Sequence, residues 1–253
     1  MFDINNFVID RIIRGVALSQ KDDSVLFSIN QIQNASLNCA SESTDAVDAM
    51  GTPIATFYRA KTAEFSAENA LFDMNLMATQ LGTAKKIASA GTKVVVPAME
   101  SFIVAEGGKY VLKHKPVAAP TEIYAINGDS TFGVKYKKET AAGADVFAYT
   151  EADKTLSLPT GLAVGTDMFV MYEYESENAV EVVNSANNFP VGCKFVMEVL
   201  GCDVCDQTNL IYAYVIFNNA KLSPDFDWSI ATDGAHPFSM KAQQDLNDRS
   251  LVA

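Results

Sequence analysis

Two apolar runs in the C-terminal third of the chain constrain its fold most strongly. They are Lys194–Leu200 and Leu210–Phe217, and a polar segment that contains Cys202 separates them. Both runs are rich in β-branched and aromatic residues, which is typical of strands, and a short polar connection favours an antiparallel pair. The second run is apolar on both faces for most of its length. We therefore expect it to lie centrally in a sheet or against a neighbouring subunit.

Other segments share the two-residue period of strands. Residues 54–65 predict a strand, and 226–230 predict another that places Phe226, Trp228 and Ile230 on one face. Residues 238–242 can supply one more.

A hairpin is predicted from residues 93–105 and 109–114. Gly107 and Gly108 lie between these runs and tolerate the positive φ values of a tight turn. Pro97 keeps the first strand near an edge or a bulge.

One segment has the period of an amphipathic helix, at about 66–82. Ser66 is a suitable N-cap, Glu68 favours the first turn and Gly82 can adopt the left-handed conformation after the last turn. The predicted apolar face consists of Ala67, Ala70, Leu71, Met74, Met77, Ala78 and Leu81. At this spacing such a face is typical of packing on a sheet.

The pattern of apolar and turn residues changes after Pro116. Residues 117–186 contain short strand-like runs separated by Gly, Pro and Asn-Gly-Asp turns, which predicts a small inserted β-sandwich. The expected organisation is a core domain from residues 1–116 and 187–253, interrupted by this lobe. The expected fold is mainly β, with a sandwich or small barrel as the core and one flanking helix.

The net charge limits the possible partners. The chain has 31 acidic and 19 basic residues, a formal charge of -12 at pH 7, and its modest basic run is Lys135, Lys137 and Lys138. Binding to nucleic acid requires clustered Lys and Arg, so the composition disfavours a DNA-binding protein. It is compatible with a protein past which DNA slides, because a negative wall repels phosphates.

The N-terminus does not resemble a secretory signal. Met1–Arg11 has no basic start, and Asp3 and Asp10 interrupt its apolar residues. No apolar run approaches the roughly 18 residues of a membrane span. We expect a mature chain that begins at Met1, works in the cytoplasm where it is made and has no membrane partner.

Cys202 and Cys205 have the spacing of a metal or redox pair. A structural zinc site needs four ligands, and Cys39, Cys193 and the two histidines are distant in sequence. A thioredoxin-type pair opens a helix after a strand, whereas this pair lies between two strand-like runs. We interpret it as part of a hairpin loop, with metal binding and redox chemistry as open alternatives.

The sequence contains no recognisable catalytic constellation. Neither His114 nor His236 lies near Ser or Cys in a known frame, and phosphate-binding and zinc-protease motifs are absent. His236 precedes Pro237 in a turn and is expected to be exposed. Acidic clusters are interpreted as solvated loop charge, with metal binding and glycoside hydrolysis as alternatives. They comprise Glu42, Asp45, Asp48, Asp203, Asp206, Asp225 and Asp227. We expect neither an enzyme nor a cofactor.

Three stretches resemble the tail tube proteins of contractile-tailed bacteriophages. They are the acidic loop and strand at 45–54, the strand and predicted helix at 57–82, and residues 215–228 with the strand that follows. The last stretch contains Phe217-Asn-Asn-Ala-Lys-Leu222, similar to a Phe-x-Asn-Ala-Lys-Leu element before the closing strand of that family. The resemblance covers both ends of the chain and leaves out 117–186.

The resemblance implies a structural virion protein of the tail, assembled in the host cytoplasm. Its copies would close into hexameric rings that stack into a hollow tube, through which DNA passes without specific binding. Further partners would be the tail sheath and other tail or baseplate proteins. The insertion would be an immunoglobulin-like lobe of the kind that phage virion proteins carry.

Two assembly surfaces follow from this resemblance. The loop at 45–53 is a candidate contact between stacked rings, ordered only on assembly, with Asp45, Asp48, Met50, Gly51 and Thr52 as its residues. Tyr212, Tyr214 and Ile216 are candidates for a wall strand that contacts the neighbouring subunit and protects a sheet edge.

Two other classes of protein fit the composition. One is a capsid-decorating or baseplate structural protein. The other is a carbohydrate-binding module or hydrolase, which would use Trp228, Tyr172, Tyr174 or Tyr212 as sugar-stacking platforms, although the alternation around Trp228 favours a core role. A tube protein predicts oligomers or fibres in a pure preparation, whereas a lectin predicts a saturable response to sugar.

Overall fold

The computed structural model describes residues 6–227, 229–232 and 234–243. Strands and isolated β-bridges account for 58% of the described residues and helix for 3%. This confirms the expectation of a mainly β protein with one helix. The strands are β1 Phe7–Ser19, β2 Val25–Ile29, β3 Ile32–Val47, β4 Pro53–Asn69, β5 Lys86–Ile87, β6 Val94–Ile103, β7 Lys109–Val111, β8 Glu122–Ile126, β9 Phe132–Lys138, β10 Val146–Thr150, β11 Thr155–Ser157, β12 Asp167–Ser176, β13 Val180–Glu181, β14 Gly192–Asp203, β15 Asp206–Leu222 and β16 His236–Ala242; the helix is α1 Met74–Gln80.

The chain divides into two compact units. The core unit comprises Met1–Lys85 and Val182–Ala253, and the insert unit comprises Lys86–Glu181. The sequence placed the start of the insertion at residue 117, whereas β6 and β7 precede that residue and pair with β12 and β11 of the insert unit. Because β6 is the antiparallel partner of β12 along its whole length, it belongs with the insertion. The immunoglobulin-like character of this unit stays a prediction.

A seven-stranded sheet builds the core unit, in the order β2-β1-β14-β15-β16-β4-β3. The hairpin predicted around Cys202 is confirmed, since β14 and β15 pair antiparallel. The strand predicted at 226–230 is wrong for its described residues, which belong to no strand, and Trp228 lies outside the described residues.

Five phenylalanine side chains form the centre of the core unit. The ring of Phe65 lies 5.7 Å from that of Phe195, 6.0 Å from that of Phe217 and 5.9 Å from that of Phe238, between ring centroids. Phe27 joins the cluster at 6.3 Å from Phe195. Burial of each side chain contributes roughly 1.5–3 kcal/mol, so this cluster holds β2, β4, β14, β15 and β16 together.

The helix is shorter than predicted and begins at Met74. Asp73 is its N-cap, and the side-chain oxygen of Asp73 accepts hydrogen bonds from the backbone N–H groups of Asn75 and Leu76, both at 2.8 Å. At the other end Gly82 has φ +64°, which confirms its left-handed position. The N–H of Thr83 donates to the carbonyl of Ala78 at 2.9 Å and closes the last turn.

Residues 66–69 belong to strand β4 and not to the helix. They pair with β16 on one side and β3 on the other, and burial alternates along Phe65, Ala67 and Asn69. Leu71 and Met74, predicted on the buried face, are exposed. Two ladders of backbone hydrogen bonds thus outweigh the helical propensity of this segment.

The insert unit has its own seven-stranded sheet, in the order β6-β12-β8-β9-β10-β11-β7. The predicted hairpin of 93–105 with 109–114 is wrong, because β6 and β7 are the two edge strands of this sheet. The sheet curls so that the edges approach, and the rings of Phe102 and Tyr110 stack at 3.8 Å. Its buried core includes Phe102, Leu112, Ile123, Phe147, Leu156, Met168 and Val170.

Candidate assembly surfaces

Strands β3 and β4 form a hairpin that is exposed on both faces. The pairing extends from Ile32 opposite Asn69 to Val47 opposite Pro53. All residues from 33 to 62 are exposed, and we term this segment the long hairpin. A two-stranded ribbon without packing is marginally stable by itself. Its length therefore favours a role in contact with another molecule.

The long hairpin carries large apolar side chains in spite of this exposure. Met50 is 91% exposed, Tyr58 74% and Ile54 71%. Leu37, Val47 and Phe57 add to this set. Exposed apolar side chains gathered on one element are typical of a surface that a partner covers.

The tip of the long hairpin has a defined turn. One carboxylate oxygen of Asp48 accepts hydrogen bonds from the N–H groups of Met50 at 2.8 Å and Thr52 at 2.9 Å. The bonds from Thr52 and Met50 lower the pKa of Asp48. Gly51 has φ +83°, a conformation that glycine adopts without strain. The single chain forms this turn, and the role of the loop as a contact between rings, ordered only on assembly, stays a prediction.

Asp45 lies outside the tip. It belongs to β3, opposite Thr56, and its carboxylate accepts a hydrogen bond from the Thr56 hydroxyl at 2.7 Å. The predicted contact residues are therefore divided, since Asp48, Met50, Gly51 and Thr52 lie at the tip and Asp45 lies in the ladder.

The candidate wall strand is β15. Tyr212 and Tyr214 are each 57% exposed and Ile216 is 37% exposed, all on one face of the strand. The opposite face packs into the core through Ala213, Val215 and Phe217. Of the two apolar faces predicted for this strand, the described part of the chain covers only one.

A three-strand polar cluster lies on the exposed face of β15. Glu198 on β14 is paired with Arg14 on β1 and with Tyr214 on β15. Its carboxylate accepts from Arg14 Nε at 2.7 Å and from the Tyr214 hydroxyl at 3.0 Å. The bond to Glu198 raises the pKa of Tyr214. No local pattern indicates this cluster, because Arg14 lies 184 positions from Glu198 in the chain.

Strand β16 covers only part of its two neighbours. It pairs with β15 at Ala220–Leu222 and with β4 at 64–69. Within the described residues, no strand pairs with 206–218 of β15 or with 53–63 of β4 on that side. Unpaired strand edges are templates for pairing with another chain.

The cysteine pair is part of the β14–β15 hairpin. The N–H of Cys205 donates to the carboxylate of Asp203 at 2.9 Å, and Cys39, Cys193, Cys202 and Cys205 are all free thiols. Burial raises the pKa of the Cys193 thiol to about 11. Over the described ranges, no group of three or more His, Cys, Asp or Glu residues is placed to hold a metal ion. None of the described helical segments is long and apolar enough to cross a membrane.

His236 is buried, which corrects the expectation of an exposed loop residue. It opens β16, and its Nε2 lies 2.8 Å from Oε1 of Gln80 on the helix. Its ring stacks on that of Phe72 at 5.2 Å. Burial lowers the pKa of His236. The prediction was wrong because the Gly-containing turn ends before His236, and His236 is the first residue of the strand.

Glu100 is a buried carboxylate of the insert unit that the sequence analysis missed. It is 3% exposed and accepts hydrogen bonds from the hydroxyls of Tyr172 and Tyr110 and from the N–H of Lys113 at 3.1 Å. Burial opposes its ionisation, but these bonds lower the pKa of Glu100 overall. The signal was present, since Glu100 stands between Ala98 and Phe102 on the inward face of an alternating strand.

An extended hairpin with exposed apolar side chains, incomplete strand pairing and a β-rich fold are typical of structural proteins that assemble. The chain belongs to the YomU/Tube protein family, whose family model matches residues 7–248. This membership identifies a structural protein of the phage tail tube. No curated protein matches the chain.

Proposed function

We propose that copies of this chain close into hexameric rings through the wall strand and stack through the tip of the long hairpin. The hollow tube so formed would conduct DNA, with tail sheath and baseplate proteins as neighbours in a contractile tail. The observation that carries the proposal is the long hairpin, which is exposed on both faces yet carries Met50, Ile54 and Tyr58. Such side chains gain free energy when a second copy covers them.

The unpaired edges support ring closure. Residues 206–218 of β15 offer backbone groups to a strand of the next copy, and Tyr212, Tyr214 and Ile216 would lie beside that junction. A closed ring removes exposed edges, which a monomer would have to protect by other means.

The charge of the chain supports passage of DNA without binding. A subunit with a charge of -12 repels phosphates wherever its acidic residues face the channel. The tube therefore needs no specific contact with the DNA it conducts.

Negative-stain electron microscopy of the purified chain tests this function. We expect hollow tubes of uniform width from the wild type and no tubes from Met50→Asp, because a charge at the tip opposes burial between rings. Met171→Asp is the matched control, since Met171 is 54% exposed on the insert unit and lies outside the proposed contacts. Dispersed wild-type monomers, or normal tubes from Met50→Asp, would contradict the proposal.

A further inference from the structure

The insert unit has an open groove with a volume of about 520 Å³, termed the His114 groove. Its lining includes the rings of His114 and Tyr174, which stack in parallel with centroids 3.9 Å apart and planes 9° apart. Tyr174 is partly buried and His114 is exposed. The imidazole therefore presents a flat ring to solvent on a second ring that supports it.

The network of Glu100 holds this stack in place. The N–H of His114 donates to the Tyr172 hydroxyl at 3.0 Å, and that hydroxyl donates to the buried Glu100 carboxylate. The neighbouring N–H of Lys113 donates to the same carboxylate at 3.1 Å. These bonds fix the backbone at 113–114, so the stacked rings form a preorganised surface.

Next along the chain, the backbone is also fixed against β12. Pro116 forms a β-bridge with Tyr174, and the N–H of Val117 donates to the carbonyl of Glu173 at 2.8 Å. Pro116 and Val117, which line the groove after His114, are therefore also held against the sheet by backbone contacts.

The lining of the groove contains two lysines and two glutamates. Lys93 pairs with Glu175 at 3.3 Å and, at the edge of the groove, with Glu177 at 3.8 Å; Lys115 pairs with Glu151 at 2.8 Å. An anion such as phosphate would meet both carboxylates, and a metal cation would meet both ammonium groups. A hydroxyl group can donate to a carboxylate and accept from an ammonium group, so a neutral polyol suits this lining.

We propose that the His114 groove binds a neutral saccharide. The apolar C–H face of a pyranose ring would lie on the His114 ring, and its hydroxyls would contact the two ion pairs at the rim. An aromatic platform with a few convergent polar groups is the usual composition of a small-molecule site. The groove consists of insert-unit residues, whereas the proposed assembly contacts consist of core-unit residues. A negative saccharide-binding test would therefore leave the proposed function unaffected.

Saturation-transfer difference NMR on the full chain tests the proposal, with chitotetraose and maltotetraose as probes, because the method works for monomers and for large assemblies. We expect saturation of pyranose C–H protons by the wild type. His114→Ala should weaken binding at least about fivefold, while His114→Phe restores it, because the ring supplies the stacking surface. Phe132→Ala is the control, since Phe132 is an exposed aromatic residue of the same unit outside the groove. It should bind as the wild type does.

Several outcomes would overturn the assignment. They are the absence of transfer to both probes at about 10 mM, equal binding by wild type and His114→Ala, and displacement of the saccharide by millimolar inorganic phosphate. Circular dichroism of each variant verifies that the fold is retained, so a loss of signal reports on the groove.

Discussion

His236 is a buried titratable side chain at the start of β16. Gln80 donates from Nε2 to the carbonyl of Pro237 at 3.2 Å, so its Oε1 accepts the proton of His236 Nε2. Among the described residues, Nδ1 of His236 has no hydrogen-bond partner. The histidine is therefore neutral in the folded chain. Burial lowers its pKa, against a smaller opposing effect of the Asp73 carboxylate.

This arrangement predicts a loss of stability in mild acid. The pKa of His236 is lower in the folded state than the value of 6.5 of an unperturbed histidine. Its contribution is complete above that value and is lost as the pH falls below it toward the folded pKa. We expect the free energy of unfolding to fall more in the wild type than in His236→Gln as the pH decreases from about 7 to about 5. Urea unfolding at both pH values measures this difference, and an equal loss in the variant would contradict it.

The carboxylate of Glu100 organises the polar interior of the insert unit. Burial and the bond to Glu100 raise the pKa of Tyr110 to about 12, and the pKa of Tyr172 also rises, chiefly through burial. Both phenols therefore remain protonated donors across the neutral range. Replacing the carboxylate removes the acceptor that all three donors share.

Glu100→Leu should destabilise the insert unit by roughly 3–5 kcal/mol, because two phenol hydroxyls and one backbone N–H lose a buried charged acceptor. Thermal unfolding followed by circular dichroism measures the change. The control is Glu106→Gln at an exposed position, which should stay within about 0.5 kcal/mol of the wild type. An unfolding temperature of Glu100→Leu equal to that of the control would show that the network contributes no stability.

Most contacts between individual side chains could not be predicted from the sequence. His236 and Gln80 are 156 positions apart, and Arg14 and Glu198 are 184 positions apart. Their contact depends on which strands become neighbours, and local sequence does not encode that choice. Glu100 is the exception, since a charged residue at an inward position of an alternating strand already signals a buried acceptor.

At the scale of elements, the end of α1 depends on Gly82. The residue has φ +64°, and a Cβ atom there would lie 2.2 Å from the carbonyl oxygen of Phe189. Both the backbone conformation and the close approach of another segment therefore require glycine. The sequence predicted the first requirement, whereas the second is visible only in the structure.

Gly82→Ala should destabilise the core unit by roughly 2 kcal/mol or more, because strain at positive φ adds to the clash with the backbone of Phe189. Gly128→Ala is the control, since a Cβ at Gly128 meets nothing within 4 Å. Chemical denaturation of both variants gives the comparison. Equal midpoints would show that the segment around Phe189 moves away at little cost.

The bounds of the strands and the helix show where local sequence propensity determined secondary structure and where it did not. Strands β8 to β12 lie within the segment of short strand-like runs at 117–186, because alternation and turn residues are local signals that mark strand ends. The helix prediction extended too far toward the N-terminus, because β16 pairs with 64–69 and comes from the other end of the chain. Distant pairing of this kind overrides local propensity.

At the scale of the whole molecule, the two proposed surfaces predict different defects. A charge on the wall strand should prevent ring closure, whereas a charge at the hairpin tip should allow rings but prevent stacking. Tyr212→Glu is therefore expected to sediment as a monomer and Met50→Asp as a ring of discrete mass.

Sedimentation velocity separates these species, and Lys138→Glu on the insert unit serves as a charge control that should assemble normally. If Tyr212→Glu formed rings, the wall strand would not be the subunit contact. If Met50→Asp formed long tubes, the hairpin tip would not be the contact between rings.

The sequence alone determined the mainly β class, the central β14–β15 hairpin, the acidic character and the kinship with tail tube proteins. These properties rest on local periodicity, on total charge and on the order of elements along the chain. Only the tertiary structure decided that β6 belongs to the insert unit, that His236 is buried against Gln80 and that β16 leaves parts of β15 and β4 unpaired. The physical reason is that pairing between distant strands and burial of polar groups depend on the sum of many weak contacts across the sheet, which no single segment specifies.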